Sequence, residues 1–179
     1  MKMNEQITET YIKDLIDKLP VGITSVERII LCQDGTVQTL LSVLFGMPVK
    51  VEVLSQKELP GIGILRWTKL VAQFEPSGQE IVVCLAESII PFKNPEAFIT
   101  AINEQKMGIG QILKATGLNQ GRHVFGIYAD ENVIARNYRI FGDVEIIITE
   151  TFPREAIKKA DSMMVKNYDI AGVGKTVGG

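Results

Sequence analysis

The apolar positions follow two different periods along the chain, and each period predicts a different kind of element. Ile7, Tyr11, Leu15 and Ile16 fall near helical spacing, which predicts a helix over residues 7–18 that Pro20 ends. Val37, Leu40, Leu41 and Leu44 make a second helical face. The turn Asp34-Gly35-Thr36 supplies the N-cap of that helix, and Gly46 closes it. Elsewhere the period drops to two or the runs become wholly apolar. "PVKVEVLSQ" alternates and predicts a strand with one wet face. "GIGILRWTKLVAQF" and "QEIVVCLAESIIP" flank the turn "EPSG" and predict a long hairpin. "NPEAFITAINEQ" predicts a short helix with Pro95 at its start, and "GIGQILKATG" a second one between glycines. "GRHVFGIYAD", "VIARNYRIFG" and "VEIIITETF" predict three more strands joined by tight turns, and "REAIKKADSMMVK" a terminal helix.

Six strands joined mostly by short turns pair antiparallel. Strands and helices do not alternate regularly, which argues against a parallel doubly wound sheet. The expected class is α+β: a single six-stranded antiparallel sheet with helices mainly on one face. One domain is expected over residues 1–179, with an N-terminal helix within 1–20 and a Gly-rich, flexible tail over 168–179. One detail stands out. Ile146, Ile147 and Ile148 are consecutive, as in a strand covered on both faces, yet Glu150 follows two residues later. A carboxylate there is either a solvated strand end or a buried group with a function.

Composition narrows the function by exclusion. A net charge of -2 lacks the basic excess of a nucleic-acid-binding protein. The N-terminus has no apolar core of a signal peptide, and no apolar run approaches the ~20 residues that span a bilayer. A cytoplasmic location without membrane contact is expected. Cys32 and Cys84 lie in the strand-like runs "IILC" and "IVVCLA" and are expected to be plain buried thiols. His123 is the sole histidine, so no metal site and no Ser/His/Asp arrangement is expected. The tail "AGVGKTVGG" ends like a phosphate-binding loop, but Asp169 occupies the position of its first glycine. "GIGQIL" lacks the third glycine of a dinucleotide fingerprint. No cofactor is expected.

The order of "ILCQDGTVQTLLSVLFG", the hairpin ending "LAESIIP", "GIGQIL" and "YRIFGDVEIIITETFP" resembles the chorismate pyruvate-lyase family, including its archaeal-type branch. The likeness runs from about residue 23 to 155. The fold that the family implies is shared with ligand-binding domains of bacterial transcription regulators. The resemblance implies cofactor-free elimination of pyruvate from chorismate to give 4-hydroxybenzoate. It implies Glu150, in Thr149-Glu150-Thr151-Phe152, as acceptor for the substrate hydroxyl, and Arg66 as the carboxylate ligand, with Lys69 as the fallback. It places the backbone at Gly108, Ile109 and Gly110 on one side of the ligand, and that near Thr36 on the other. Glycine or proline choice and charge depart from the family at two points. Gly108 replaces a proline, and Glu87 stands where bacterial members have an arginine, where it would repel a carboxylate if it faced the pocket. Arg122, Arg136 and Arg139 are candidate substitutes. The expected partner is a small carboxylate substrate; the oligomeric state is not readable. The alternative is a non-catalytic binder of an aromatic or carboxylate effector. Regulators of that kind carry a DNA-binding domain ahead of the pocket, and only about 20 residues precede the first core segment here, which favours the enzyme.

Overall fold

The computed structural model describes residues 11, 13–74, 78–160 and 162. Helical residues 13–17 lead into α1 (Ser25–Cys32) and α2 (Val37–Phe45). Three long strands follow, β1 (Val49–Leu59), β2 (Gly63–Phe74) and β3 (Gln79–Pro91). Then come α3 (Glu96–Asn103), α4 (Ile109–Thr116), β4 (Gln120–Ala129), β5 (Val133–Gly142) and β6 (Ile146–Pro153), with helical residues 154–160 after them. The six strands form one antiparallel sheet in the order β1-β2-β3-β6-β5-β4. This is the α+β arrangement expected from the pattern. Sequential hairpins build each half. The α3–α4 connection carries the chain from β3, in mid-sheet, to the far edge, so that β6 returns to close the gap.

Local signals account for most element ends. Gly46 and Gly117 take up left-handed backbone after α2 and α4, with φ of 66° and 65°. Thr36 is the N-cap of α2 by its extended backbone, although its side chain makes no capping bond. At the β4–β5 turn, Asp130 Oδ1 accepts from the N–H groups of Asn132 and Val133. The segment "IILC" departs from the strand-like reading. It is the last part of α1, because Thr24 and Glu27 form a reciprocal capping box that starts a helix at Ser25. Residues 7–10, the end of the terminal helix and the tail at 168–179 lie outside the described residues.

The helices cover one face of the sheet. On β2 the covered positions are Ile64, Arg66, Thr68, Leu70, Ala72 and Phe74, while Leu65, Trp67 and Lys69 point to the open face. The isoleucine run of β6 does not have both faces covered: Ile146 and Ile148 are buried, but Ile147 is 44% exposed on the open side. Two apolar clusters fill the covered face. One gathers Leu31, Leu41, Phe45, Leu70 and Phe152 beneath α1 and α2. The other gathers Ile64, Phe98, Ile112, Ile140 and Ile146 beneath α3 and α4. A polar belt crosses the sheet between them. The register aligns Thr68, Ala86, Glu150 and Arg136 in one row, and Arg66, Ser88, Ile148 and Tyr138 in the next. Among the described residues, no helix is long and apolar enough to cross a membrane.

Glu27 ties α1 to the end of the sheet. Beyond its capping role, its Oε1 and Oε2 accept from Arg154 Nε and Nη2 at 2.8 and 3.1 Å, and Arg154 Nη1 donates to the Asp130 carbonyl at 2.7 Å. Burial pushes the Glu27 carboxyl up, but the Thr24 N–H and Arg154 outweigh it and hold it below the ordinary 4.5. A depressed carboxyl pKa contributes stability above the unfolded-state value that is lost as pH falls through the folded-state value. Glu27→Ala should therefore destabilise the fold by about 1–3 kcal/mol at neutral pH. That difference from the parent should shrink as pH drops below 4.5, measured by urea denaturation at several pH values.

Candidate functional site

Between the two apolar clusters lies a cavity of ≈ 60 Å³. Its floor is the polar belt of the sheet: Thr68, Ala86, Ser88, Tyr138, Ile148 and Glu150. Its roof comes from two helix starts, Thr36 to Gln38 at α2 and Gly108 to Gly110 at α4. Thr36, Gly108, Ile109, Gly110 and Glu150, all expected at the site, thus line one cavity. A helix's first N–H groups have no acceptor within the helix, and those of Ile109 and Gly110 stand at this wall. The Gly108 N–H is already taken by Gln111 Oε1 at 2.9 Å.

Glu150 is 3% exposed and points into the core. It is already partnered. Its Oε2 lies 2.8 Å from Arg136 Nε in a hydrogen bond and 2.7 Å from Nη2, and its Oε1 accepts from the Tyr138 hydroxyl at 2.9 Å. Each carboxylate oxygen has two acceptor sites, so Oε1 retains one. Burial would lower the Arg136 pKa, but Glu150 and Tyr138 outweigh that and raise it. Burial first, and then the Glu150 charge, push the Tyr138 phenol well above its usual value, so it remains a proton donor to Glu150. The Arg136 guanidinium also lies 4.9 Å from the Tyr138 ring centre.

Arg66 is fully buried on the covered face, as expected of a carboxylate ligand. Its Nη2 donates to the Met107 carbonyl at 2.6 Å, just ahead of α4. Its Nε and Nη1 have no hydrogen-bond partner. Burial pulls its pKa down from the ordinary arginine value, yet an arginine remains charged in a protein. Arg66 stands beside the cavity: Ser88 is its cross-strand partner, and Thr68 is the next covered residue on β2. One strand, β3, lies between it and Glu150, and the two occupy adjacent covered rows, so two strand spacings and one row step put their Cα atoms about 12 Å apart.

The remaining candidates divide cleanly by face. Lys69 is on the open face, paired with Glu52 at 2.8 Å, and does not reach the cavity. Glu87 also lies on the open face, where it accepts from Trp67 Nε1 at 2.8 Å; it does not meet the cavity and repels nothing there. Arg139 is exposed over Phe141. Arg122 and Arg136 face inward. Tyr138 and the Arg136–Glu150 pairing were missed at the sequence level, but a signal was present: Ile134, Arg136, Tyr138 and Ile140 share one parity in "VIARNYRIFG". His123 stacks on Tyr11 with ring centres 5.1 Å apart, and no cluster of three metal-ligating side chains occurs among the described residues.

The two roof segments touch. A Cβ added to Gly110 would come 2.9 Å from the Thr36 methyl, and one on Gly108 would come 3.2 Å from Val51. Glycine at 110 is thus required by close approach. Gly110→Ala should lower the melting temperature by prising the two helix starts apart. Adding Thr36→Ser, which removes the clashing methyl, should restore it, as thermal denaturation of the single and double variants will reveal.

No protein-family model matches the chain, and no curated protein matches it in sequence.

Proposed function

We propose that the protein is a cofactor-independent carbon–oxygen lyase that converts chorismate, or a close relative of it, to 4-hydroxybenzoate and pyruvate. The observation that supports this most is Arg66, a fully buried guanidinium with two nitrogens left unpartnered, set beside a small cavity that the inward carboxylate of Glu150 lines. Burying an unpaired charge is costly, and a chain retains one only where something else completes it. A ligand carboxylate at Nη1 or Nε does so with a charge-assisted hydrogen bond. On that reading Arg66 takes the ring carboxylate, and the free acceptor site on Glu150 Oε1 takes the ring hydroxyl. The backbone N–H groups of Ile109 and Gly110 face the remaining oxygens.

The reaction asks little else of the protein. The ring C–H electrons become the last π bond of an aromatic ring. The ether C–O bond breaks with its electrons on the enolpyruvyl oxygen, and the released proton ends on that fragment as it becomes pyruvate. Aromatisation drives the step, so holding the substrate in one orientation away from water is the main contribution expected of the site. The partial filling of Glu150 by Arg136 and Tyr138 also favours a second reading: a binding protein for an aromatic carboxylate, built from the same parts and doing no chemistry.

Incubating the purified protein with chorismate and measuring 4-hydroxybenzoate and pyruvate separates the two readings. Equimolar products support the lyase. Absence of turnover, together with a rise in melting temperature on adding 4-hydroxybenzoate, supports the binder, because a ligand of the folded form alone stabilises it. Arg66→Met serves both cases. It should raise the melting temperature, by removing a buried unpaired charge, while weakening 4-hydroxybenzoate binding by about tenfold or more. Loss of stability with unaltered binding would show Arg66 to be structural. Glu150→Gln, which keeps an acceptor oxygen, should reduce affinity less than Arg66→Met.

A further inference from the structure

The charges around the cavity do not cancel. Glu150 is neutralised by Arg136, with contacts of 2.7 and 2.8 Å. Arg66 forms no ion pair among the described residues. Arg122 lines the cavity from β4 and likewise pairs with no carboxylate among them. Its Nη1 donates to the Gly35 carbonyl, and its guanidinium stands 5.7 Å from the Tyr138 ring centre. Both contacts orient the fork without neutralising it, and an arginine has five N–H donors, so others remain for a ligand. Two positive charges are thus left without a carboxylate partner, one fully buried at Arg66 beside the cavity and one partly exposed at Arg122 in its wall.

We propose that Arg122 is a second anion-binding residue, which gives the cavity its preference for ligands with two carboxylates over those with one. The inference rests on the ligand-pocket reading above and specifies its substrate class. Arg66 fixes the buried carboxylate, and Arg122 receives the second at the cavity wall. Because the same guanidinium holds the Gly35 carbonyl, a carboxylate on its free N–H groups is bridged to the loop that begins α2. Filling that position thus fastens the roof. A product that has lost its second carboxylate no longer makes this bridge and is released more readily.

The test compares two stable probes by titration calorimetry: 4-hydroxybenzoate, and 3-(carboxymethoxy)-4-hydroxybenzoate, which adds a second carboxylate on an ether arm. The parent protein should bind the dianion at least about tenfold more tightly. Arg122→Gln should abolish that preference and change the affinity for 4-hydroxybenzoate by less than about threefold, and Arg122→Lys should restore part of it. Equal binding of the two probes by the parent, an equal loss for both in Arg122→Gln, or binding of neither overturns the proposal. The lyase reading fails separately. Arg122-dependent preference for the dianion without any turnover of chorismate refutes the lyase and leaves Arg122 in place. Turnover with an unchanged KM in Arg122→Gln refutes Arg122 and leaves the lyase.

Discussion

The buried ion pair between Arg136 and Glu150 is the interaction on which the rest of the covered face depends. It stands in the middle of a six-stranded sheet, where each charge alone would cost several kcal/mol. The pair tolerates this because most of its polar atoms are used, although Arg136 Nη2 makes only an ion-pair contact with Glu150. Glu150 is held by Arg136 and Tyr138, and Arg136 Nη1 continues to the Gln33 carbonyl at 2.6 Å and toward Leu31 at 3.4 Å. Those carbonyls end α1, which has no basic residue in its own last turn. A cation from β5 thus supplies what the helix end lacks. One interaction joins two neighbouring strands, a helix terminus and the loop that leads to the cavity roof.

A common device recurs around that roof. Three arginines projecting from the sheet each hold a backbone carbonyl of a roof segment: Arg136 at Gln33, Arg122 at Gly35 and Arg66 at Met107. The floor and the roof are therefore coupled through charged groups, and not through apolar packing alone. On the proposed reading, an anion in the cavity meets at Arg122 a guanidinium that is already oriented, which reduces the cost of ordering it on binding. The glycines at 108 and 110 complete the arrangement. They are needed less for unusual backbone angles than for the lack of a side chain where α4 meets Val51 and Thr36.

Such a site sets stability against binding. A polar belt separates what would otherwise be one continuous apolar core, and Arg66 adds a buried charge with two unpartnered nitrogens. The compensation is spread over the periphery, where the capping box of α1 and the Glu27–Arg154 pair lock the first helix to the end of β6. The uncompensated charge thus sits in the middle of the fold and the fastening at its edges.

The periods of the sequence were enough to determine the six strands, their antiparallel pairing and the two glycine-bounded helix ends near the cavity, because burial of one face imposes period two on a strand wherever pairing is regular. They left Glu150 open between a solvated strand end and a buried group, and it was the family resemblance that singled out Arg66 and Glu150. Other features were decided only in three dimensions. The capping box overrode the strand-like look of "IILC", since two satisfied N–H groups outweigh a weak local preference. Ile147 looked as covered as its neighbours, but the helices lie on one side only. Glu87 and Lys69 proved to be on the open face through cross-strand register, which fixes the face of every residue in a strand at once. The partners of Glu150 come from β5, its hairpin neighbour. The tight turn foretold that pairing, but the register that sets Arg136 opposite Glu150 and Tyr138 in the next row was decided only in the folded sheet.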